Sequence, residues 1–409
     1  MNHFNPEQAL SETRREFGEH GGVTPSISRS ATFTVIDPEI MPEIFGGTRG
    51  PEQGGCFLYS RHFNPTVDIL ARYLSAMEGT EFSVCTASGM SAISCTLLQL
   101  CQNGDHIVSS DTIYGGSYAL LNQLLPQFGI TSTFVNPTDT AAFERAITPK
   151  TRVLYTETLG NPTLKLADIR ALSKLAKAKG VALVVDNTFT PMMISPARLG
   201  ADVVVYSMTK YINGASDLVA GAICTTKAMI HQLMDLHTGR VMLLGPTMDP
   251  RMAYDIIQRL PHLSLRMREH SRRALAVCRR LAELGVPVVY PGLESFAQHG
   301  LANDLINKDY GYGGMFTIDC GSRGRADHLL DELQNKEDFG YIAVSLGYFD
   351  TLMSCSGAST SSEISRKDQR KMGLSPGLVR FSIGYTGSLE KRIEQMARAV
   401  RAVGLVENR

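Results

Sequence analysis

Between residues 67 and 225, short apolar runs alternate with segments whose apolar positions recur every three or four residues, and turn-forming residues separate them. Strands are predicted at "FSVC", "HIVSS", "TRVLYTE", "VALVVDN" and "ADVVVYS". Helices are predicted at "VDILARYLSAMEG", "GMSAISCTLLQL", "GGSYALLNQLL" and "IRALSKLAKAKG". Continuous β-branched stretches such as Val184-Val185 and Val203-Val204-Val205 suit strands covered on both faces, so the pattern is βαβ with a mainly parallel sheet.

The stretch from Asp249 to Gly285 keeps a helical period that should kink or break near Pro261, and it makes a natural connector. Beyond it, strands at "GGMFTIDC" and "GLVRFSIG" mix with helices at "RADHLLDELQN" and "SLEKRIEQMARAVRAVG", as in a smaller α+β unit. Residues 1–60 carry neither pattern, and "GGVTPSIS" and "FGGTRGPEQGG" read as an extended arm able to reach a neighbouring subunit. The expected division is an arm at 1–60, a large domain at 61–255 and a C-terminal domain at 256–409.

Composition narrows the setting. A chain of 409 residues exceeds the roughly 250–300 at which one core stops growing, which supports at least two units. No apolar run is long enough to span a bilayer. Lys plus Arg and Asp plus Glu each number 40, so the balanced charge argues against nucleic acid or an anionic membrane as the main partner. The eight cysteines show no C-x-x-C pair and no zinc-spaced histidine, so they read as reduced thiols and no metal site is expected. The opening "MNHFNPEQALSETRREFGEH" fits neither a secretory signal nor an acid-poor transit peptide, which makes the cytoplasm the default location.

In parallel α/β sheets, ligands bind beyond the carboxyl ends of strands. Three ends stand out: one delivers Asp186 and Asn187, one delivers Ser207, Thr209 and Lys210, and one delivers Ser88 and Gly89 at a helix start. A helix N-terminus attracts phosphate, and Ser207 and Thr209 could add hydroxyl donors. The plainer reading of Ser88 is a helix cap, and that of a lone Asp or Lys is a turn residue or solvated charge. Read together, a desolvated Lys210 could form a Schiff base with an aldehyde, and Asp186 could partner a pyridinium nitrogen. That combination is what pyridoxal phosphate requires.

At this point the sequence resembles the Cys/Met-metabolism family of pyridoxal phosphate enzymes. Its hallmark is matched by Ser207-Met208-Thr209-Lys210-Tyr211, followed by Gly214, Asp217 and Gly221. Further matches are "YSRHFNPT", "TASGMSAI", "YGGSY", "ETLGNPT", "VVDNTF" and "GLVRFSIG", from about residue 16 to the C-terminus. The resemblance implies the fold type I, aspartate aminotransferase-like architecture, with a large α/β domain, a smaller α+β domain and an N-terminal arm. It makes Lys210 the Schiff-base lysine and Cα-proton shuttle, and Asp186 the partner of the ring nitrogen. Gly89, Met90, Ser207 and Thr209 would hold the phosphate, completed by Tyr59 and Arg61 from an adjacent subunit. Tyr114 would stack on the ring and protonate a leaving thiolate, and Asn161 would lie near the phenolic oxygen.

Strict alternation in "GLVRFSIG" puts Val379, Phe381 and Ile383 on one face and Leu378, Arg380 and Ser382 on the other. The resemblance gives Arg380 the substrate α-carboxylate, with Ser345 as a second contact. It also implies a homotetramer built of two active dimers. Glu157 reads as an ion-pair residue that only supports the site.

The family covers γ-elimination and γ-replacement on small sulfur-containing amino acids. "RREFGEHGGV", "LYSRHFNPTV", "MLLGPTM", "YPGLESFAQH" and "VSLGYFDTLMSCSGASTSSE" look most like plant-type methionine γ-lyases, so degradation of methionine to 2-oxobutanoate, ammonia and methanethiol is the first expectation. O-acetylhomoserine sulfhydrylase and cystathionine γ-synthase or γ-lyase chemistry are the alternatives. Two departures bear on that choice: Gly116 stands where microbial methionine γ-lyases carry a cysteine, and Tyr348 to Thr360 replaces the family's usual P-A-x-M-T-H pattern. A nicotinamide-binding fold would need G-x-G-x-x-G after the first strand, which "DYGYGG" does not supply. A catalytically silent homologue should have lost Lys210 or Asp186, and both are present.

Overall fold

A computed structural model describes residues 4–35, 37–46, 48–50, 56–356, 369 and 373–406 of the chain. Residues 357–360, the end of the divergent segment singled out above, lie outside the described residues.

Seven strands make the larger sheet: β1 (Phe82–Thr86), β2 (His106–Ser110), β3 (Thr131–Val135), β4 (Thr151–Glu157), β5 (Ala182–Asp186), β6 (Val203–Ser207) and β7 (Gly221–Thr225). Their spatial order is β1-β7-β6-β5-β4-β2-β3, parallel throughout except where β7 runs against β1 and β6. Five helices position this sheet and the segment before it: α1 (Pro6–Thr13), α2 (Pro65–Glu78), α3 (Gly89–Leu100), α4 (Gly115–Ala119) and α5 (Ile169–Lys179).

The β-branched runs are buried on both sides because successive side chains enter opposite cores. Val153, Val184, Val203 and Val205 pack with Ala92, Ile93 and Leu97 of α3. Leu154, Leu183 and Val185 pack with Ile169, Leu172 and Ala176 of α5. Each such side chain contributes about 1.5–3 kcal/mol by leaving water.

A connector follows: α6 (Pro250–Arg259), a 3-10 turn at Leu260–His262 that contains Pro261, then α7 (Leu263–Glu283). The turn falls where proline was expected to interrupt the helical period. The smaller sheet then forms from β8 (Val288–Val289), β9 (Met315–Asp319), β10 (Tyr341–Ile342), β11 (Leu352–Cys355) and β12 (Leu378–Ser382), in the order β10-β11-β12-β9-β8. Helix α8 (Leu389–Ala402) closes the chain's core. Val379, Phe381 and Ile383 pack with Phe316, Ile318, Val277 and Val400, so Arg380 and Ser382 take the opposite face.

Three local readings differ from the sequence-based ones. The helix expected at 115–125 is α-helical for Gly115–Ala119, widens to a π turn at Leu120–Leu124 and tightens to 3-10 at Leu125–Phe128, because Pro126 supplies no N–H to an α turn. Strands β3 and β7 are additional; "TSTFV" lies at the sheet edge, and "GAICT" opens on a glycine and holds one β-branched aliphatic residue, so neither stood out from its surroundings. Residues 1–60 are also not uniformly extended. Asn5 caps α1 by accepting the amides of Glu7 and Gln8, and Leu10 is buried. Glu7 pairs with Arg268 at 2.6 Å and accepts from Ser264 at 2.7 Å, so the chain start docks on its own C-terminal half. Beyond α1, Phe17 and Val23 are 77% and 91% exposed.

Candidate active site

The carboxyl ends of β2, β4, β5 and β6 share one edge of the larger sheet, the place where such sheets bind ligands. A cavity of about 410 Å³ opens there, with Arg380 of the smaller sheet on its far wall.

Register sets Glu157, the last residue of β4, beside Asp186, the last residue of β5. Asp186 Oδ1 accepts the Thr188 hydroxyl at 2.6 Å and the Thr188 amide at 2.9 Å. Burial lifts the Asp186 pKa to about 6, and these two bonds limit the rise. Glu157 accepts the Tyr114 amide at 2.6 Å and the Asn161 amide at 2.9 Å. Burial first, and then the Asp186 charge, holds its carboxyl well above the ordinary range.

From the end of β6 the chain turns at Ser207 and delivers Lys210 into the cavity. Lys210 Nζ donates to Ser345 Oγ at 2.9 Å. Burial, and then the neighbouring Arg380 cation, lowers the Lys210 pKa to about 8. A larger share of the amine is therefore unprotonated near neutral pH than in a solvated lysine, as a nucleophile requires.

Arg380 is 2% exposed, which removes the reading of a surface arginine. Its Nη1 donates to Asn161 Oδ1 at 3.0 Å and its Nη2 to the Ser345 carbonyl at 3.2 Å. Burial lowers its pKa to about 10, so it stays charged at neutral pH.

At the start of α3, Ser88 Oγ accepts the Ser91 amide while Ser91 Oγ accepts the Ser88 amide. Ser88 is thus a cap, as its plainer reading held. The amides of Gly89 and Met90 belong to a first turn that has no intrahelical acceptor for them, and both residues line the cavity. Gly89 answers a second need: a Cβ there would fall 2.6 Å from Ser207 Cβ, so glycine lets the end of β6 close against the helix. The Thr209 hydroxyl is engaged with Ala220, accepting its amide at 3.0 Å and donating to its carbonyl at 3.3 Å.

Tyr114 stands at the cavity mouth, 41% exposed, with its ring folded over Gly116. A Cβ on Gly116 would lie 2.5 Å from the ring's Cε1. Tyr59 and Arg61 do not line this cavity. Tyr59 bridges to Thr32 in the arm, and Arg61 donates to the Met242 carbonyl at 3.0 Å with its guanidinium 5.7 Å from the Tyr59 ring.

Three residues had no such role in the sequence. Glu157 ties Tyr114 and Asn161 together through backbone amides instead of through an ion pair. Thr188 links Asp186 to β6, because its hydroxyl also accepts the Ser207 amide at 2.8 Å. Gly347 lets the loop bearing Ser345 lie against the lysine's own backbone, where a Cβ would come within 2.6 Å of Tyr211 N. Both glycine and threonine sat in recognisable motifs, but their contacts are long-range and leave no periodic trace.

Known proteins place this geometry in context. The Cys/Met metabolism PLP-dependent enzyme family matches residues 8–399. A relative from Arabidopsis thaliana named methionine gamma-lyase is 52% identical over 397 residues, which covers 97% of this chain and 90% of that one. An L-methionine gamma-lyase from Pseudomonas putida is 35% identical, with 94% of each chain covered. Among solved structures, an O-acetylhomoserine (thiol)-lyase from Campylobacter jejuni superposes with a TM-score of 0.88 at 26% identity, covering 97% of this chain and 100% of that one, and it carries an N'-pyridoxyl-lysine-5'-monophosphate. This chain belongs to the Cys/Met metabolism family of pyridoxal phosphate-dependent enzymes.

Proposed function

We propose that the protein is a lyase that converts L-methionine and water to 2-oxobutanoate, ammonia and methanethiol. The observation that carries the reaction class is Lys210, its pKa lowered to about 8, facing a cavity that also contains Asp186 and Arg380. The choice of methionine is supported by the 52% identity to the Arabidopsis methionine gamma-lyase.

The donor set fits pyridoxal 5'-phosphate: a partly neutral amine, a buried carboxylate and helix N-terminal amides line one cavity. Bound there, the cofactor supplies an electron-withdrawing ring that stabilises negative charge on the substrate carbons. Asp186 would keep a proton on the ring nitrogen. The amides of Gly89 and Met90 would hold the phosphate with Ser207 and with Thr209, whose O–H would turn to it from the Ala220 carbonyl. Asn161 would be the residue near the phenolic oxygen.

Arg380, fixed by Asn161 and the Ser345 carbonyl, forks onto the substrate α-carboxylate, with Ser345 beside it. Lys210 Nζ removes the Cα proton and moves protons between Cα and Cβ. The Tyr114 hydroxyl gives a proton to the departing thiolate sulfur.

Tyr59 and Arg61 act in the cavity of a neighbouring copy, which the arm reaches, within a tetramer of two such dimers. That neither lines the cavity of its own chain supports this reading. Mixing an inactive Lys210→Ala chain with an inactive Arg61→Ala chain should restore activity in mixed dimers; no recovery would remove it.

A panel of methionine, cystathionine, cysteine, homocysteine and O-acetylhomoserine, with and without sulfide, tests the substrate. Methionine should give 2-oxobutanoate and methanethiol. Homocysteine from O-acetylhomoserine plus sulfide, without methionine cleavage, would establish the sulfhydrylase reading instead. Borohydride reduction and peptide mapping should place a pyridoxyl group on Lys210; its absence would favour a silent homologue.

A further inference from the structure

We infer that Arg266 is a positioning residue for Lys210, gripping the chain immediately after the lysine so that Nζ stays aimed into the cavity. The inference rests on the reading of Lys210 as the cofactor-bearing lysine.

Arg266 lies on α7 and is 6% exposed, yet among the described residues none of its hydrogen-bond partners is a carboxylate. A buried cation without an anion is costly unless neutral acceptors surround it. Here they do. Nη1 donates to the Tyr211 carbonyl, Nη2 to the carbonyls of Ile212 at 2.9 Å and Arg259 at 3.3 Å, and Nε to His262 Nδ1 at 3.1 Å.

Tyr211 and Ile212 are the two residues directly after Lys210. The turn they belong to closes through Gly214 N to the Lys210 carbonyl at 2.8 Å and Asn213 N to the Met208 carbonyl at 2.9 Å. The planar guanidinium therefore serves as an acceptor-matched cap on the two following carbonyls, a geometry that a lysine's single ammonium does not reproduce.

Two members of the family hallmark now have a local reason. Gly214 has φ +76°, and a Cβ on it would lie 2.2 Å from Arg266 Nη1, so glycine both permits the turn and makes room for the guanidinium. Asp217 accepts from Arg259 at 2.7 and 2.8 Å and from Asn213 Nδ2 at 3.2 Å, which ties the far end of the turn to α6.

The backbone from Lys210 to Ile212 is thus held between two bodies. On one side stands Arg266; on the other, Gly347 presses close, its own amide fixed by Ser382 Oγ at 2.8 Å. With Tyr211 and Ile212 released on the Arg266 side, the backbone from which Lys210 Nζ reaches Ser345 Oγ at 2.9 Å loses one of its supports.

The test uses holoenzyme carrying Arg266→Lys, with Asp217→Asn as a second variant that loosens the same turn from the solvent side and keeps the buried cation. In R266K, kcat per bound cofactor should fall about tenfold or more, as small misplacements of a reacting group do. KM should stay within about threefold, because Arg380 still holds the carboxylate. Cofactor release, followed by loss of its visible absorption, should quicken several-fold. In D217N the same changes should appear at about threefold, a milder misplacement of the same group.

A drop in thermal stability with unchanged kcat per bound cofactor and unchanged release in R266K would reduce Arg266 to a packing role. If R266K does not fold, an unchanged kcat and release in D217N would overturn the inference. Borohydride mapping of the unaltered enzyme separates the underlying reading: a pyridoxyl group found elsewhere than Lys210 removes that reading, whatever the variants do.

Discussion

On the seven-stranded side of the cavity, Glu157, Asp186 and Ser207 each end a strand, and the register of neighbouring strands sets their spacing. Their hydrogen bonds stay on that side of the cavity: Asp186 to Thr188, Glu157 to Tyr114 and Asn161, and Ser207 to Thr188. On the five-stranded side, Arg380 sits in the middle of β12, and it meets Asn161 across 219 residues of sequence. One wall is thus assembled by strand order and the other by packing between the two sheets. A change on the first wall should alter chemistry at fixed cavity shape, whereas a change on the second should alter substrate capture.

The largest expected effect tests the chemical wall. Lys210→Ala should lose about 10²–10⁴-fold in kcat, the range for a positioned proton-transfer group, measured as 2-oxobutanoate formed per bound cofactor. A loss below tenfold would assign the proton transfer to another residue.

Arg380→Lys tests the capture wall. Keeping the charge but losing the fork should cost about 1.5–3 kcal/mol, or roughly tenfold to a hundredfold in kcat/KM, expressed mainly in KM. A fall confined to kcat would mean that the two walls do not divide the work in this way.

Gly116→Cys lies between these cases. Any side chain there displaces the Tyr114 ring, so about a tenfold change in kcat/KM is expected, with methionine and cystathionine affected unequally. Equal losses on both substrates would remove position 116 from specificity.

Stability should respond through the same lysine. Lys210 holds its proton less tightly in the folded cofactor-free protein, about 8, than in the unfolded chain, near 10.5. Between those values the unfolded state binds more protons, so stability rises with pH across that window. Below pH 8 the full cost of burying the ammonium is present, and Lys210→Met should be the more stable protein there. Urea unfolding of both proteins at pH 7 and pH 10 measures the difference.

The unequal construction of the walls also explains what the sequence could disclose. Asp186, Ser207 and Lys210 follow apolar runs, and the strand-end rule points to them directly. The alternation in β12 shows which way Arg380 faces, yet its partner Asn161 becomes visible only when the two sheets pack, and Ser345 only when the loop between β10 and β11 folds back on β12. Glu157 is hidden for a related reason: its partners are backbone amides, which no side-chain pattern encodes. Helix α1 is eight mostly polar residues, too short for periodicity to outweigh the glycine-rich stretches that follow it. Arg266 sits within an arginine-rich helix, where nothing but the fold distinguishes it from Arg268 or Arg272.

The Thr188 hydroxyl donates to Asp186 at 2.6 Å and accepts from the Ser207 amide at 2.8 Å. One oxygen atom thereby spans the gap between two neighbouring strand ends. It acts as a spacer gauge: the distance from the acid to the cavity-facing end of β6 cannot drift without breaking one of its two bonds. A rigid planar ligand, which cannot adjust its own length, meets a pocket whose length is likewise fixed.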